Sequence, residues 1–135
     1  MATHSESRAI AHSPESLFDI VADVERYPDF LPLVNAAKIV KRHENTYETE
    51  QSLMLGLLIH RFRTTTELDR PRRITVVSND RSFSRFNIRW EFSPLDNNRC
   101  QVEFSLDCDA RSFLLKPVIQ VLVIPMAVSM VAAFE

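Results

Sequence analysis

The sequence predicts an α+β fold: one curved antiparallel sheet of six or seven strands closed around a long C-terminal helix. Three observations predict it. The middle of the chain alternates apolar and polar residues with period two through several consecutive segments. A capped segment of helical periodicity stands near the N-terminus. A long apolar run ends the chain.

The elements follow in order. Residues Glu6 to Ala11 read as a short polar first strand. Ser13-Pro14-Glu15 is a helix start, with a hydroxyl N-cap, a proline where its missing N–H costs nothing, and an acid on the positive end of the dipole. Leu17, Phe18, Ile20, Val21 and Val24 follow at one-face spacing. Arg26 suits the C-terminal end, and Pro28 disfavours helix at Tyr27. Tyr27-Pro28-Asp29-Phe30-Leu31-Pro32 then forms a stiff turn with outward-looking aromatics.

Tyr47, Thr49, Gln51, Leu53 and Leu55 alternate with Thr46, Glu48, Glu50, Ser52 and Met54. After Gly56 the inward set is Phe62, Thr64, Thr66 and Leu68. Asp69-Arg70-Pro71-Arg72 is a turn leading to a strand at Arg73–Asn79. Phe86, Ile88, Trp90 and Phe92 alternate with Arg85, Asn87, Arg89 and Glu91. Pro94 to Asn98 is a loop. Cys100, Val102, Phe104, Leu106 and Cys108 then oppose Gln101, Glu103, Ser105, Asp107 and Asp109. Such a meander has one wet and one dry face. The final segment, from Ser112 to Phe134, is long enough for about six helical turns and supplies cover for the dry face.

At 135 residues the chain fits one domain, 1–135, with no linker or repeat. A single glycine excludes glycine-rich phosphate cradles. A net charge of −2 gives no global field for nucleic acid. Cys100 and Cys108 lie eight apart on one strand, roughly 26 Å at about 3.3 Å per residue, so they cannot bridge each other. Reduced thiols and the lack of a recognisable leader lead us to expect a cytoplasmic protein.

Ser13-Pro14-Glu15-Ser16-Leu17-Phe18-Asp19-Ile20-Val21-Ala22-Asp23-Val24-Glu25-Arg26-Tyr27-Pro28-Asp29-Phe30-Leu31-Pro32 closely resembles the opening of the coenzyme-Q-binding START-like family. That family lies within the polyketide-cyclase and lipid-transport (SRPBCC) superfamily. Collinear matches continue at Phe62-Arg63-Thr64, Pro71-Arg72-Arg73-Ile74, Asn87-Ile88-Arg89-Trp90-Glu91-Phe92, Val102-Glu103-Phe104 and Met130-Val131-Ala132-Ala133-Phe134-Glu135. The chain departs from the family pattern at Arg81-Ser82-Phe83, where relatives often have Gly-Pro-Phe, and in carrying Pro117 and Pro125 in the last helix. The resemblance implies a helix-grip (START/Bet v 1-like) fold whose cavity binds ubiquinone or another isoprenoid quinone, in support of respiration or quinone synthesis. A bacterial branch of the family is a ribosome-association toxin, of toxin–antitoxin type, which blocks subunit joining. Cyclases of the superfamily supply a third, enzymatic alternative.

On this reading the cavity is lined by Phe30, Leu31, Phe62, Thr64, Trp90, Phe92, Val102, Phe104, Leu106, Val118 and Leu122. Apolar walls with a few polar groups suit a hydrophobic small molecule. Thr64, Thr66, Gln51 and Ser78 share the inward parity, placed either to meet quinone carbonyls or to satisfy one another. The Tyr27–Pro32 turn serves either as a gate or as a packed connector.

Arginine supplies 13 of 16 basic residues. Arg61, Arg63, Arg85 and Arg89 are expected to pair across strands, with Glu50 opposite Arg63 and with Glu103 and Asp107 near Arg89 and Arg85. Arg70, Arg72 and Arg73 remain as contacts for an anionic surface, lipid or ribosomal. The uncharged run 117–134 fits peripheral contact with the inner membrane or a homodimer better than a span. His4, His12, His43 and His60 lack metal-ligand spacing. No nucleophile–His–acid set is visible, so catalysis is not expected.

Overall fold

A computed structural model of the chain describes residues 2–29, 34–55, 58–81, 83–96 and 98–111. The expected C-terminal helix, with Val118, Leu122, Pro117 and Pro125, lies outside the described residues, as do Phe30 and Leu31. The expected membrane and dimer contacts of the last segment lie there too.

The described elements are β1 (Ala2–Ile10), α1 (Pro14–Ala22), a 3-10 turn (Val24–Asp29), β2 (Val34–His43), β3 (Thr46–Leu55), β4 (Leu58–Asp69), β5 (Arg73–Val77), β6 (Phe83–Pro94) and β7 (Cys100–Ala110). The seven strands form one antiparallel sheet in the order β1-β7-β6-β5-β4-β3-β2. From β2 to β7 it is a simple meander. β1 returns to close on β7, so β1 and β2 are the two edges.

α1 starts as its sequence dictates. Ser13 Oγ accepts the Ser16 N–H at 3.2 Å, Pro14 occupies the first turn, and Glu15 stands on the positive end. Leu17, Phe18 and Val21 are buried on the face turned to β5 and β6. Ile20 is exposed, contrary to expectation, because it falls outside the narrow stripe that a nine-residue helix buries. The helix gives way to the 3-10 turn at Asp23.

That turn runs through Val24 to Asp29 and so includes Tyr27 and Pro28, beyond the predicted break. Proline removes only its own N–H, and the tighter turn continues past it. Tyr27 is buried rather than outward-looking. Its hydroxyl donates to the Val21 carbonyl, and Tyr47 on β3 donates to the Ala22 carbonyl at 2.8 Å. Two tyrosines thus occupy carbonyls that the end of α1 leaves open.

Several strand limits differ from the sequence reading, among them those of β6, which starts at Phe83 and takes in Pro94 from the predicted loop. β1 begins at Ala2 and ends at Ile10, and β5 stops at Val77. β2 was not anticipated as a distinct strand. Register shifts between Val34 and Ala36 and between Ile39 and Lys41 break its alternation, so no clean period-two pattern survives.

One face of the sheet forms the core. Ile10, Tyr47, Phe62, Ile74, Phe83, Trp90, Phe92 and all six even-numbered residues of β7 from Cys100 to Ala110 are buried. α1 covers part of this face through Phe18, whose ring meets Phe92 edge-on at 6.0 Å.

Candidate functional site

The inner face of the sheet is built by parity. Strict alternation along β7 sends Val102, Phe104 and Leu106 inward, and antiparallel pairing brings Phe92, Trp90 and Ile88 of β6 beside them. Trp90 meets Phe104 at 4.6 Å in an edge arrangement and stacks with Phe92 at 6.3 Å. Farther along the face Phe62, Phe83 and Phe86 contact one another at 5.0 to 5.8 Å. Seven of the predicted wall residues are therefore together and buried: Phe62, Thr64, Trp90, Phe92, Val102, Phe104 and Leu106.

The polar residues predicted for the same face are mostly occupied with each other. Thr49 and Thr64 share a hydroxyl–hydroxyl bond, and Gln51 Nε2 donates to both hydroxyls at 3.2 Å. Thr66 donates to the Tyr47 phenol. Ser78 donates to the Arg63 carbonyl and accepts the Asp80 N–H. Among the described residues no buried side-chain N or O lacks a partner. Burial, which outweighs the help of Thr66, pushes the Tyr47 phenol up to about 12, and Tyr27 is raised further by the same cause.

Cys100 and Cys108 are buried free thiols on this face. Burial raises both, Cys108 to about 12 with Asp109 and Asp107 adding to the effect. They are poor nucleophiles in this state. No cluster of three or more His, Cys, Asp or Glu suited to a metal occurs among the described residues.

The sequence reading overlooked a charged row on the inner side of β1. With Ile10 inward, parity also sends His4, Glu6 and Arg8 inward. His4 Nε2 lies 3.1 Å from one Glu6 oxygen, and Arg8 donates to the other. The parity of Ile10 was the available signal.

The outer face carries the expected ion pairs. Glu50 lies opposite Arg63 and pairs with it at 3.7 Å, and Arg85 meets Asp107 at 2.8 Å. Arg89 has Glu103 near it, as expected, in the lining of one groove, but its ion pair is with Glu91 of its own strand at 3.8 Å and its direct partner across the strands is Ser105. At the β4–β5 turn, Arg70 makes a two-pronged bond to Asp19 at 2.8 and 3.0 Å, and this bond holds the Asp19 carboxyl below its usual range. Arg72 pairs with Asp69 at 3.2 Å. Arg73 stands on β5 opposite Asp69 and Glu91. Arg72 also lines a groove of about 470 Å³ with Arg99, Glu15, Pro71, Pro94 and Leu95, where the β4–β5 turn and the β6–β7 loop approach the start of α1. Arg99 is a second residue the sequence reading missed.

Residues 10–135 match the family described as polyketide cyclase / dehydrase and lipid transport. The chain belongs to that family. Among its relatives, the ribosome association toxin RatA of Pseudomonas aeruginosa is 31% identical over 99% of this chain and 94% of its own length. Coenzyme Q-binding protein COQ10 homolog B of Xenopus laevis is 26% identical over 98% of this chain and 56% of its own length. The crystal structure of Zhui aromatase/cyclase from Streptomyces sp. R1128 superposes with a TM-score of 0.84 at 15% identity, covering 98% of this chain and 90% of that one. At that identity the likeness shows the fold alone, and the fold is the helix-grip, START-like one that the resemblance implied. Among the described residues no helix is long and apolar enough to cross a membrane, a statement that leaves 112–135 aside and does not bear on β-barrels.

Proposed function

We propose that this chain, read as one domain over 1–135, binds an isoprenoid quinone or a lipid of similar build on the inner face of its sheet. The observation that carries the proposal is the dry wall of β6 and β7, where Trp90, Phe92, Val102, Phe104 and Leu106 are buried on one side. The family's lipid-transport description and the coenzyme Q-binding relative support it. Phe30, Leu31, Val118 and Leu122 are assigned the rest of the wall. A prenyl tail needs little polar help, since each buried methylene contributes about 0.8 kcal/mol. About ten such carbons bring the gross gain to the scale of micromolar binding, roughly 8 kcal/mol. Mutual bonding of Thr49, Thr64 and Gln51 keeps that part of the wall from demanding a polar ligand.

The test is mass spectrometry of an organic extract from protein purified without detergent from a quinone-producing bacterium. A stoichiometric isoprenoid quinone is expected. An empty extract, together with no binding of added quinone, would sink the proposal.

A second reading, association with the large ribosomal subunit, is favoured by the 31% identity to a ribosome association toxin. The groove that joins Arg72 to Arg99 is then the candidate contact. This reading predicts co-sedimentation with ribosomes that falls with salt and drops further in an Arg72→Ala/Arg99→Ala variant. Either reading suits a cytoplasmic protein.

A further inference from the structure

Resting on the lipid-binding reading above, we propose that the inward row His4, Glu6 and Arg8 is a head-group site for a prenylated phenol, the hydroxyl of which His4 Nδ1 accepts. Register sets His4 beside Leu106, Glu6 beside Phe104 and Arg8 beside Val102. The β7 partners are 5%, 2% and 1% exposed, whereas the side chains of His4, Glu6 and Arg8 retain 20%, 16% and 32%. One face of the sheet therefore passes from dry to wet across a single strand step. An amphipathic molecule with its tail along β6 and β7 has its polar end at β1.

Glu6 decides which hydrogen bonds that end must offer. One of its oxygens accepts from Arg8, and the other lies 3.1 Å from His4 Nε2. A carboxylate can only accept, so in the neutral form of the ring Nε2 carries the proton and Nδ1 is left as a lone-pair acceptor. Among the described residues Nδ1 has no hydrogen-bond partner. The ring leans on Phe104, with centroids 6.2 Å apart and planes at 52°, which limits its rotation. An acceptor at this place selects a donor. A phenol or hydroquinone hydroxyl meets that demand, whereas a quinone carbonyl sets lone pair against lone pair.

Charged residues turned inward on an edge strand also deter pairing with other sheets. That role is indifferent to a ligand's redox state, and the test exploits the difference. Calorimetric titration at pH 8 under anaerobic conditions compares a short-chain ubiquinone with its hydroquinone, two ligands with one tail. The intact protein is expected to bind the hydroquinone about tenfold tighter, the scale of one hydrogen bond. His4→Phe keeps a ring against Phe104 and is expected to bind both forms with the affinity the intact protein shows for the quinone. Glu6→Gln removes the constraint on the imidazole proton and should bring the two affinities close together. Equal affinity for both forms in the intact protein, or an unchanged preference in folded His4→Phe, overturns the head-group assignment alone. Binding of neither form by the intact protein brings down the lipid-binding reading and the assignment with it.

Discussion

The inner face of β6 and β7 and the inner face of β3 and β4 are buried to similar degrees but built differently. On β6 and β7 the inward residues are aromatic and aliphatic, with Trp90, Phe92 and Phe104 in mutual contact. On β3 and β4 Phe62 is the buried aromatic, and the rest of the buried inward set is Tyr47, Thr49, Thr64 and Thr66, with Gln51 beside them, each bonded to another member or to the end of α1. Burial in a sheet thus does not require apolar side chains; it requires that no polar atom is left alone. The first region is held by area and shape, the second by partnership, and the two should fail in different ways.

The largest effect is expected on the apolar side. Trp90→Ala removes the centre of the aromatic contacts and should lower unfolding free energy by about 3–5 kcal/mol in urea titration. A loss below 1 kcal/mol would mean that β6 and β7 are not the main source of stability. On the polar side, Thr64→Val keeps shape but strips an acceptor from Gln51 and a partner from Thr49, for a loss of about 1–3 kcal/mol. The comparison sharpens in the double variant Thr49→Val/Thr64→Val, which should lose less than the sum of the two single changes. Strict additivity would show that the hydroxyls are not coupled.

Alkali should find the same two regions through Tyr47 and Cys108. Both groups hold their protons more tightly when folded, at about 12 against ordinary values of 10.0 and 9.0. Their contribution is complete below pH 9 and is lost as pH rises from there through about 12. Denaturation midpoints measured from pH 8 to 11.5 should therefore fall, and Tyr47→Phe should flatten the upper part of the fall. The smallest effect belongs to the surface. Arg70→Ala breaks the bond to Asp19 between two half-exposed groups, and its melting temperature should match the parent once salt is raised.

The dry wall was legible because period-two alternation survives along β4, along β7 and, past the shift between Phe83 and Arg85, along β6 from Phe86 to Phe92. Each of Phe62, Trp90, Phe92, Val102, Phe104 and Leu106 lies where parity put it. Arg63 and Arg85 found acids that the register and spacing foretold. What escaped was set by features that alternation does not encode. Two bulges hid β2, and tertiary burial of Tyr27 turned an apparent surface aromatic into a helix cap. The inward charges of β1 were passed over because a polar strand reads as wholly solvated until one residue, Ile10, fixes its parity. Arg99 and Arg72 are 27 positions apart in sequence, and only the packing of two hairpin ends beside α1 brings them to one groove.

Glu25 gives the outer edge of the sheet a further property. Its carboxylate accepts the Ile39 N–H at 3.0 Å, beside one of the two shifts in β2. A backbone donor on an outermost strand would otherwise be open to the strand of another molecule. The side chain fills that vacancy from within the same chain, and the shifts bend the rest of the edge out of line for a partner. Loss of this carboxylate would be felt less in the stability of one molecule than in how crowded solutions of it behave, since the exposed rung invites sheet-to-sheet growth.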